Sequence, residues 1–396
     1  MVRNHQHDMG ECNRNNMTLG NDTLVCPLLR SMLTSLSLNQ NQNTNLAVVA
    51  VHGIFSGMGI LENALILWVV GFRVRRTVAA VWVLNLALSD FLATLTLPLF
   101  TYYLYSSHSW KLGEPLCVAQ STLFFLNMFV SAFLLAVISL DRCLLVMQPI
   151  WSRRQRSVAT AWKICGLGWL LAAINTVPYS IFRAVSCKTD GRNLCYHNFA
   201  RFSTPATLNH DCRLRQETTA MSKLLLAFLI PLSVIAASYI SLSRKLQQRQ
   251  VMRENRMLNG NIQHCSATGR FASPLSPRFS KMVVAVIMVF ILTWSPYHAF
   301  CLLEVTSEYY PNIRKVVEVG LPIATTFSFL NAVLNPFLYA FSCPHFCVRI
   351  RESMGALLEG LLDEGILRSQ LRAESRRFSS FRGTTTTNGI EFNGFA

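Results

Sequence analysis

The sequence predicts an all-α membrane protein, a seven-transmembrane helix bundle with a C-terminal amphipathic helix on the cytoplasmic face. Three observations predict it: seven long apolar stretches, positive charge concentrated between them, and an amphipathic segment after the last one. A helix rises about 1.5 Å per residue, so about 20 apolar residues cross a hydrocarbon core of about 30 Å. Backbone polar groups in lipid must be bonded within the chain, which favours helices. We place the spans at 46–72, 78–104, 116–141, 159–182, 218–243, 281–304 and 316–341.

Basic side chains set the predicted orientation of these spans. The chain has 36 Lys and Arg against 20 Asp and Glu. Many of the basic residues lie in alternate connections, at Arg73 to Arg76, at Arg153 to Arg156 and between Arg244 and Lys281. Cytoplasmic loops carry an excess of Lys and Arg, so we expect an extracellular N-terminus, a cytoplasmic C-terminus and a multi-pass protein of the plasma membrane. The net charge of +16 then indicates orientation and attraction to anionic lipid, not nucleic acid.

Composition divides the chain into four predicted segments. They are an extracellular glycosylated N-terminal tail at 1–45, a seven-transmembrane domain at 46–341, an amphipathic membrane-surface helix at 342–362 and a disordered cytoplasmic tail at 363–396. Cys343 and Cys347 begin the amphipathic helix, where palmitoylation and unmodified thiols are both open. Acceptor tripeptides and hydroxyl residues beside arginines predict two kinds of modification. The glycosylation sites are Asn16 and Asn21, and the phosphorylation sites are Ser379, Ser380, Thr384 and Thr385.

The cysteines of the predicted extracellular segments can form disulfides, because these bonds persist outside the cell. Cys117 begins the third span and Cys195 lies in the loop before the fifth. We predict that they are bridged, which would hold this loop over the mouth of the bundle. A Cys26–Cys212 bridge is predicted to tie the N-terminal tail to the same loop. For Cys12 and Cys187, a third bridge and free thiols stay open, because six cysteines allow fifteen pairings.

Polar side chains inside the spans are candidate functional residues, because burying them in a bilayer is costly. Asp90 in the second span lies at a depth comparable with several amides and hydroxyls. A carboxylate surrounded by neutral oxygen atoms suits a small hard cation such as sodium. The alternative is a structural Asp90 that is protonated or bonded to water. The predicted sodium ligands are Asp90, Asn127, Ser131, Asn331 and Asn335, with Asn63 at a similar depth; no other cofactor is expected.

Four segments carry a resemblance to a known family. They are Leu86-Ala87-Leu88-Ser89-Asp90, Asp141-Arg142-Cys143, Trp294-Ser295-Pro296-Tyr297 and Asn335-Pro336-Phe337-Leu338-Tyr339. Intramembrane prolines in two of them remove helix hydrogen bonds and create hinges. In this order and spacing the segments resemble rhodopsin-like (class A) G-protein-coupled receptors over roughly 46–362, and within that family the chemoattractant branch and its receptors for prostaglandin D₂.

The resemblance implies how the cytoplasmic end works. The sixth helix is expected to swing outward and admit a heterotrimeric G protein of the inhibitory type (Gi/o), with arrestin and a receptor kinase acting at the tail. No acid stands near 276–280 to pair with Arg142, so Asp141 is expected to be the main restraint on this arginine. The predicted activation switch consists of Asp141, Arg142, Trp294, Pro296, Tyr239 and Tyr339.

Two cationic side chains restrict the chemical class of the expected ligand. Lys223 lies in an apolar run of the fifth span, and Arg183 follows Pro178 at the outer end of the fourth. Because an unpaired buried charge is expensive, a ligand carboxylate would satisfy both. The alternatives for Lys223 are snorkelling to the interface and a salt bridge with Glu304.

Aromatic residues predict an apolar chamber beside these cations that suits an acyl chain. They are Phe100, Tyr103, Phe124, Phe125 and Tyr297. By resemblance, Arg183, Lys223, Tyr196, Arg192, Tyr297 and Glu304 match positions that prostaglandin receptors use around their ligand. A family tyrosine is replaced by His197 here, and a family histidine is replaced by Gln120.

We therefore expect a cell-surface receptor for an anionic lipid mediator, most closely prostaglandin D₂, in chemotactic and inflammatory signalling. The alternatives are a chemotactic peptide receptor of the same branch and, from another class, a sodium or proton transporter using Asp90. An enzyme is not expected, because the sequence has no His-Glu-x-x-His motif and no paired intramembrane aspartates.

Overall fold

A computed structural model of the protein describes residues 24–34, 42–258 and 277–342. Helices make up most of this part of the chain. In chain order they are α1 (Pro27–Thr34), α2 (Gln42–Trp68), α3 (Val78–Tyr105), α4 (Gly113–Met147), α5 (Pro149–Gln155), α6 (Val158–Ile181), α7 (Leu208–Leu224), α8 (Ile230–Leu258), α9 (Pro277–Thr306) and α10 (Arg314–Ser342). Two π-helical turns, Val69–Arg73 and Leu225–Leu229, follow α2 and α7, and a 3₁₀ turn, Pro311–Ile313, precedes α10.

Seven of the described helical stretches are long and apolar enough to cross a membrane, which confirms the predicted bundle. The first four spans are α2, α3, α4 and α6; the fifth runs from α7 into α8, and the sixth and seventh are α9 and α10. In the third span, 67% of the most apolar window is buried, more than in any of the other six. It packs against the second, fourth and fifth spans, so it forms the centre of the bundle.

Capping residues explain where two of the spans begin. The Thr77 hydroxyl accepts a hydrogen bond from the Ala80 backbone N–H at 3.2 Å, which caps the second span. Ser157 caps the fourth span in the same way, with the Thr160 N–H at 3.0 Å. Both side chains satisfy a backbone donor that the first turn of a helix leaves without a partner.

The fifth span is interrupted by a π-helical turn, Leu225–Leu229, directly before Pro231. Proline lacks an N–H and clashes with the preceding turn, and a wider turn at this point relieves both effects. The disturbance that Pro231 causes in the helix is thus local. Beyond it the helix continues to Leu258, past the predicted end of the span at 243.

The bundle carries one element that the all-α prediction missed. β1 (Arg183–Cys187) and β2 (Asn193–His197) form an antiparallel hairpin with Arg183 opposite His197. Arg183 therefore opens a strand and does not lie at the end of the fourth helix, which stops at Ile181. The turn between the strands contains Gly191 at φ +84°, a left-handed conformation that glycine adopts without strain. We call the end of the bundle that carries this hairpin the hairpin end.

Part of the predicted N-terminal tail is structured. The disulfide Cys26–Cys212 ties it to the start of the fifth span, and α1 follows with Leu28 and Leu29 buried. The predicted Cys117–Cys195 bridge is also present. Cys187 is disulfide-bonded as well, so a free thiol is excluded for this residue.

Candidate ligand-binding cavity

A cavity of about 590 Å³ opens among the third, fifth, sixth and seventh spans, beneath the hairpin and α1. It is lined by every residue that the sequence analysis assigned to the ligand. These are Gln120, Phe124, Phe125, Arg183, Arg192, Tyr196, Lys223, Tyr297 and Glu304. Phe100 and Tyr103 of the predicted apolar chamber line it too. The sequence prediction therefore selected side chains that the fold brings to one place.

Lys223 is buried at the wall of this cavity, with 7% of its surface exposed. Its ammonium lies 3.5 Å from the Sγ atom of Cys301 and 5.7 to 5.8 Å from the centres of three aromatic rings. Within the described residues, no carboxylate lies within 4.0 Å of it. The alternatives of snorkelling and of a salt bridge with Glu304 are both wrong. Glu304 instead accepts a hydrogen bond from the Tyr196 hydroxyl.

Arg183 reaches the same cavity from the hairpin. Its Nε lies 3.3 Å from the Cys195 sulfur, and a terminal nitrogen lies 3.4 Å from Nδ1 of His197. Burial lowers the pKa of Arg183, and the hydroxyls of Tyr196 and Tyr297 offset this only in part. Like Lys223, it has no carboxylate within salt-bridge distance in the described part of the chain. Lys223 and Arg183 therefore bring two positive charges to the cavity without a bonded counter-ion.

His197 lies beside Arg183 in the cavity wall and adds no further charge. Burial, then the charges of Arg183 and Lys223, hold the pKa of His197 well below its usual range, so the ring is neutral. A guanidinium can only donate, so Nδ1 is the acceptor of the Arg183 hydrogen bond and Nε2 carries the proton. The ring stacks on Phe199 at 5.5 Å. The replacement of the family tyrosine thus supplies an acceptor that orients Arg183.

The part of the cavity nearest the hairpin end has charged residues that the sequence analysis missed. Lys188, at the end of the hairpin's first strand, lies 3.9 Å from Glu318 of the seventh span. Arg314 lines the cavity one turn before Glu318, and its Nε is buried without a hydrogen-bond partner. The sequence could have indicated this pair, because Arg314 and Glu318 are four residues apart at the start of the seventh span and so lie on one face of the helix. Arg192 was predicted to contact the ligand. In the structure it already donates hydrogen bonds to Asp190 and to a backbone carbonyl.

Aromatic rings form the floor of the cavity. Phe124 lies 5.5 Å from Tyr297 and 6.3 Å from Trp294, centre to centre. Trp294 is fully buried beneath them and does not line the cavity. A ligand on this floor would press on Trp294 through one layer of rings.

The short helix α1 lies against the same cavity. Leu28 and Met32 line it, and the Thr189 N–H donates to the Leu33 carbonyl at 3.0 Å. The Cys26–Cys212 bridge holds the beginning of α1. The N-terminal segment therefore narrows access to the cavity at the hairpin end.

Comparison with known proteins shows to which family the chain belongs. The sequence profile of the 7 transmembrane receptor (rhodopsin family) matches residues 62–339. The chain belongs to this family. It is 42% identical to mouse prostaglandin D2 receptor 2 over 362 residues, which cover 90% of this chain and 88% of the relative. The rat prostaglandin D2 receptor 2 is also 42% identical, over 86% of this chain and 79% of the relative. Human chemerin-like receptor 1 is 32% identical over 78% of each chain.

These relatives place the chain among G-protein-coupled receptors of the chemoattractant branch. It is a multi-pass membrane receptor and not an enzyme, and the family implies a ligand and a G protein. The transporter hypothesis is not retained, because a receptor family covers most of the chain.

The buried network predicted as a sodium site lies in the middle of this receptor. Asp90 is fully buried and accepts hydrogen bonds from the Asn127 and Asn335 amides at 2.9 and 2.8 Å. Asn331 donates to the Ser131 hydroxyl at 3.3 Å. Asn63 lies apart, bonded to backbone carbonyls of the first and seventh spans. The five predicted sodium ligands thus form two hydrogen-bonded groups, Asp90 with Asn127 and Asn335 and Ser131 with Asn331, and Asn63 bonds to neither group.

The end of the bundle opposite the hairpin differs from its prediction. Asp141 forms a bidentate ion pair with Arg156, at 2.9 and 3.1 Å. Within the residues that the structure describes, it makes no ion pair with Arg142. The expectation that Asp141 is the main restraint on Arg142 is therefore wrong. Arg156 follows α5, in the connection before the fourth span, and competes successfully for the carboxylate because both of its donors reach it.

Tyr239 and Pro296 belong to the predicted activation switch, and this role stays a prediction. Tyr239 is buried and receives a hydrogen bond from Ser139 at 3.4 Å, one turn from Arg142. Pro296 lies inside the sixth span.

Several predicted sites lie outside the described residues. They are Asn16, Asn21, Cys12, Cys343, Cys347, Ser379, Ser380, Thr384, Thr385 and the side chain of Tyr339, together with the amphipathic helix beyond residue 342.

Proposed function

We propose that this receptor binds an anionic lipid, prostaglandin D₂ or a related fatty-acid mediator, and activates an inhibitory-type G protein from the plasma membrane. Its N-terminus and hairpin end face outward in this proposal, and its C-terminus lies in the cytoplasm. One observation carries the proposal: Lys223 and Arg183 line one cavity without a carboxylate within 4.0 Å among the described residues. A ligand carboxylate would supply the charge that both lack.

The remainder of the cavity favours a lipid as the carrier of that carboxylate. Its volume of about 590 Å³ falls in the range of small-molecule pockets. Phe100, Phe124 and Phe125 supply apolar walls, and the mouse and rat relatives are named for prostaglandin D2. Glu304 and Tyr196, bonded to each other, offer polar contacts for hydroxyl or keto groups on the ligand.

A chemotactic peptide is the alternative, and the chemerin-like relatives support the branch to which such receptors belong. The narrowing of the cavity by Leu28 and Met32 favours the smaller ligand. A peptide would have to displace α1, which is held by a disulfide at its start.

A ligand in the cavity can change the conformation of the G-protein side through the aromatic rings of the cavity floor. The ring centres of Phe124 and Tyr297 each lie 6.3 Å from that of Trp294. Trp294 precedes the hinge at Pro296 by two residues. We propose that ligand pressure on these rings shifts the sixth span about this proline, lets Arg142, Tyr239 and Tyr339 rearrange, and opens the cytoplasmic face. Arrestin and a receptor kinase are proposed to act at the tail, on Ser379, Ser380, Thr384 and Thr385.

The test is inhibition of forskolin-stimulated cyclic AMP in cells expressing the intact receptor. We expect prostaglandin D₂ to lower cyclic AMP, and pertussis toxin to abolish the response. The methyl ester of prostaglandin D₂ is the matched control, because it keeps the lipid and removes the charge. An equal response to acid and ester, or a response to a chemotactic peptide alone, would contradict the proposal.

We also propose that sodium binds the buried network as an allosteric ion. The residues fit this ion: Asp90 is fully buried, no described cation pairs with it, and the side-chain oxygens of Asn331 and Asn335 are buried without hydrogen-bond partners. The holding residues would be Asp90, Asn127, Ser131, Asn331 and Asn335. When bound, the ion would neutralise Asp90 and favour the inactive arrangement of the spans.

Sodium should therefore lower agonist affinity, and Asp90→Asn should remove this effect. Couplings of this kind change affinity by about 5- to 150-fold. We therefore expect agonist affinity in sodium at roughly 0.15 M to be at least about fivefold lower than in choline at the same ionic strength. Agonist competition binding on membranes measures it. Glu62→Gln, which removes a carboxylate of the first span, is the control and should keep the sodium effect. Sodium sensitivity that survives in Asp90→Asn would contradict the proposal.

A further inference from the structure

Cys301 is a free thiol in the wall of the ligand cavity. It lies on the sixth span, and its Sγ is 3.5 Å from the ammonium of Lys223. Two other free cysteines in the described ranges, Cys143 and Cys165, do not line this cavity. The fold has therefore brought one nucleophilic side chain to the place where the ligand's charged group is proposed to bind.

The Lys223–Cys301 pair has a chemical consequence beyond charge balance. The thiolate is the nucleophilic form of cysteine, and an adjacent cation stabilises the negative charge that develops when the thiol gives up its proton. Lys223 is more than nine-tenths buried, and its nearest polar partner in the described residues is this sulfur. One ammonium can thus hold a ligand carboxylate and assist a reaction at the neighbouring sulfur.

We propose that Cys301 captures acidic lipids that carry an α,β-unsaturated ketone, forming a covalent thioether with them. This inference rests on the proposed function, because it needs an anionic lipid in the same cavity. The Cys301 sulfur bonds to the β-carbon of the enone, and the electron pair of the carbon–carbon double bond moves to give an enolate. The Lys223 ammonium gives a proton to the α-carbon and takes up the proton that the thiol loses, so it ends the reaction unchanged. Nothing is oxidised or reduced overall, and no group leaves.

Geometry restricts which lipids can react. A carboxylate bonded to Lys223 lies about 2.8 Å from its nitrogen, and a reacting carbon must approach the sulfur to about 3–3.5 Å. With 3.5 Å between nitrogen and sulfur, the β-carbon must lie within about 10 Å of the carboxylate. The substrate class is therefore fatty acids with the enone near the carboxyl end.

The probe is an eighteen-carbon fatty acid with a ketone at its fifth carbon and a double bond between its sixth and seventh carbons. It is incubated with the full-length receptor in lipid nanodiscs, followed by intact mass measurement and peptide mapping. We expect one added molecule, located at Cys301, and none at this position in Cys301→Ser. Cys143 and Cys165 are internal controls and should remain unmodified. The probe's methyl ester, and the acid probe on Lys223→Met, should react at least about tenfold more slowly.

The saturated keto acid of the same length separates this inference from the proposed function. It cannot form the thioether, and its reversible binding is measured as a shift in thermal stability of the same receptor. If it binds and the unsaturated probe gives no adduct at Cys301, the covalent step is wrong and the proposed function stands. If adduct formation is equal for acid and ester, the part assigned to Lys223 is wrong. If neither acid binds although prostaglandin D₂ lowers cyclic AMP, the covalent inference is wrong and the proposed function stands; if prostaglandin D₂ fails as well, both proposals are overturned.

Discussion

Replacing Lys223 by Met is expected to lower the potency of an acidic lipid agonist by about 30-fold or more. Removing one partner of a buried, hydrogen-bonded charge pair costs about 2–5 kcal/mol, and about 1.4 kcal/mol corresponds to a factor of ten. Methionine keeps an unbranched, apolar side chain against Phe125, Tyr179 and Tyr297, which surround the ammonium. The change therefore removes the charge with little change in packing. Concentration–response curves for cyclic AMP measure the loss.

Lys163→Met is the matched control for this prediction. Lys163 is an exposed lysine of the fourth span, and its replacement should not change potency appreciably. The methyl ester of the agonist supplies a second control, because the loss caused by Lys223→Met should largely disappear when the ligand carries no charge. Full potency of the acid on Lys223→Met, at normal surface abundance, would contradict the assignment of the cavity.

Breaking the Cys117–Cys195 disulfide, by changing both residues to Ser, is expected to abolish measurable agonist binding. This bridge joins the third span to the strand β2 across 78 residues of chain. The strands it anchors carry Arg183, Tyr196 and His197 into the cavity. Removing a native disulfide costs about 2–5 kcal/mol, and here the cost falls on the loop that supplies one of the two ligand cations.

The Cys26–Cys212 bridge offers a matched comparison within the same receptor. Changing both of these residues to Ser frees the start of α1 and leaves the hairpin anchored. We expect this pair of substitutions to speed ligand dissociation while binding remains measurable. Radioligand saturation binding on membranes, with surface abundance measured in parallel, tests both variants. Equal binding losses in the two would show that the hairpin has no special part in holding the ligand.

The bundle could be predicted from the sequence because the bilayer imposes strong local rules. Length and apolarity alone located the spans, and the polar residues Asp90, Asn127 and Asn335 stood out because membrane helices exclude such groups. Lys223 was identified for the same reason. These signals are local in the chain and need no knowledge of which helices touch.

Features that depend on contacts between distant segments could not be predicted in this way. Arg183 was assigned to a helix end, because its place in the hairpin depends on pairing with His197. Asp141 was assigned to its neighbour Arg142, whereas Arg156, fifteen residues away, reaches it with two donors. The short helix α1 was missed because eight residues give little periodic signal, and a disulfide and the cavity wall hold it in place.

The π-helical turn at Leu225–Leu229 determines which way Lys223 points. Each residue of a regular α-helix advances the chain by about 100° around the axis, and a π-helical turn accommodates one residue more than an α-helical turn. If this turn were rewound to regular geometry, everything on its N-terminal side would rotate by roughly a quarter of a revolution relative to α8. The ammonium would then face a neighbouring helix or the acyl chains of the bilayer. The wide turn thus takes up a single surplus residue, and a one-residue deletion at Leu226 should restore regular α-helix there while leaving Lys223 directed into the cavity.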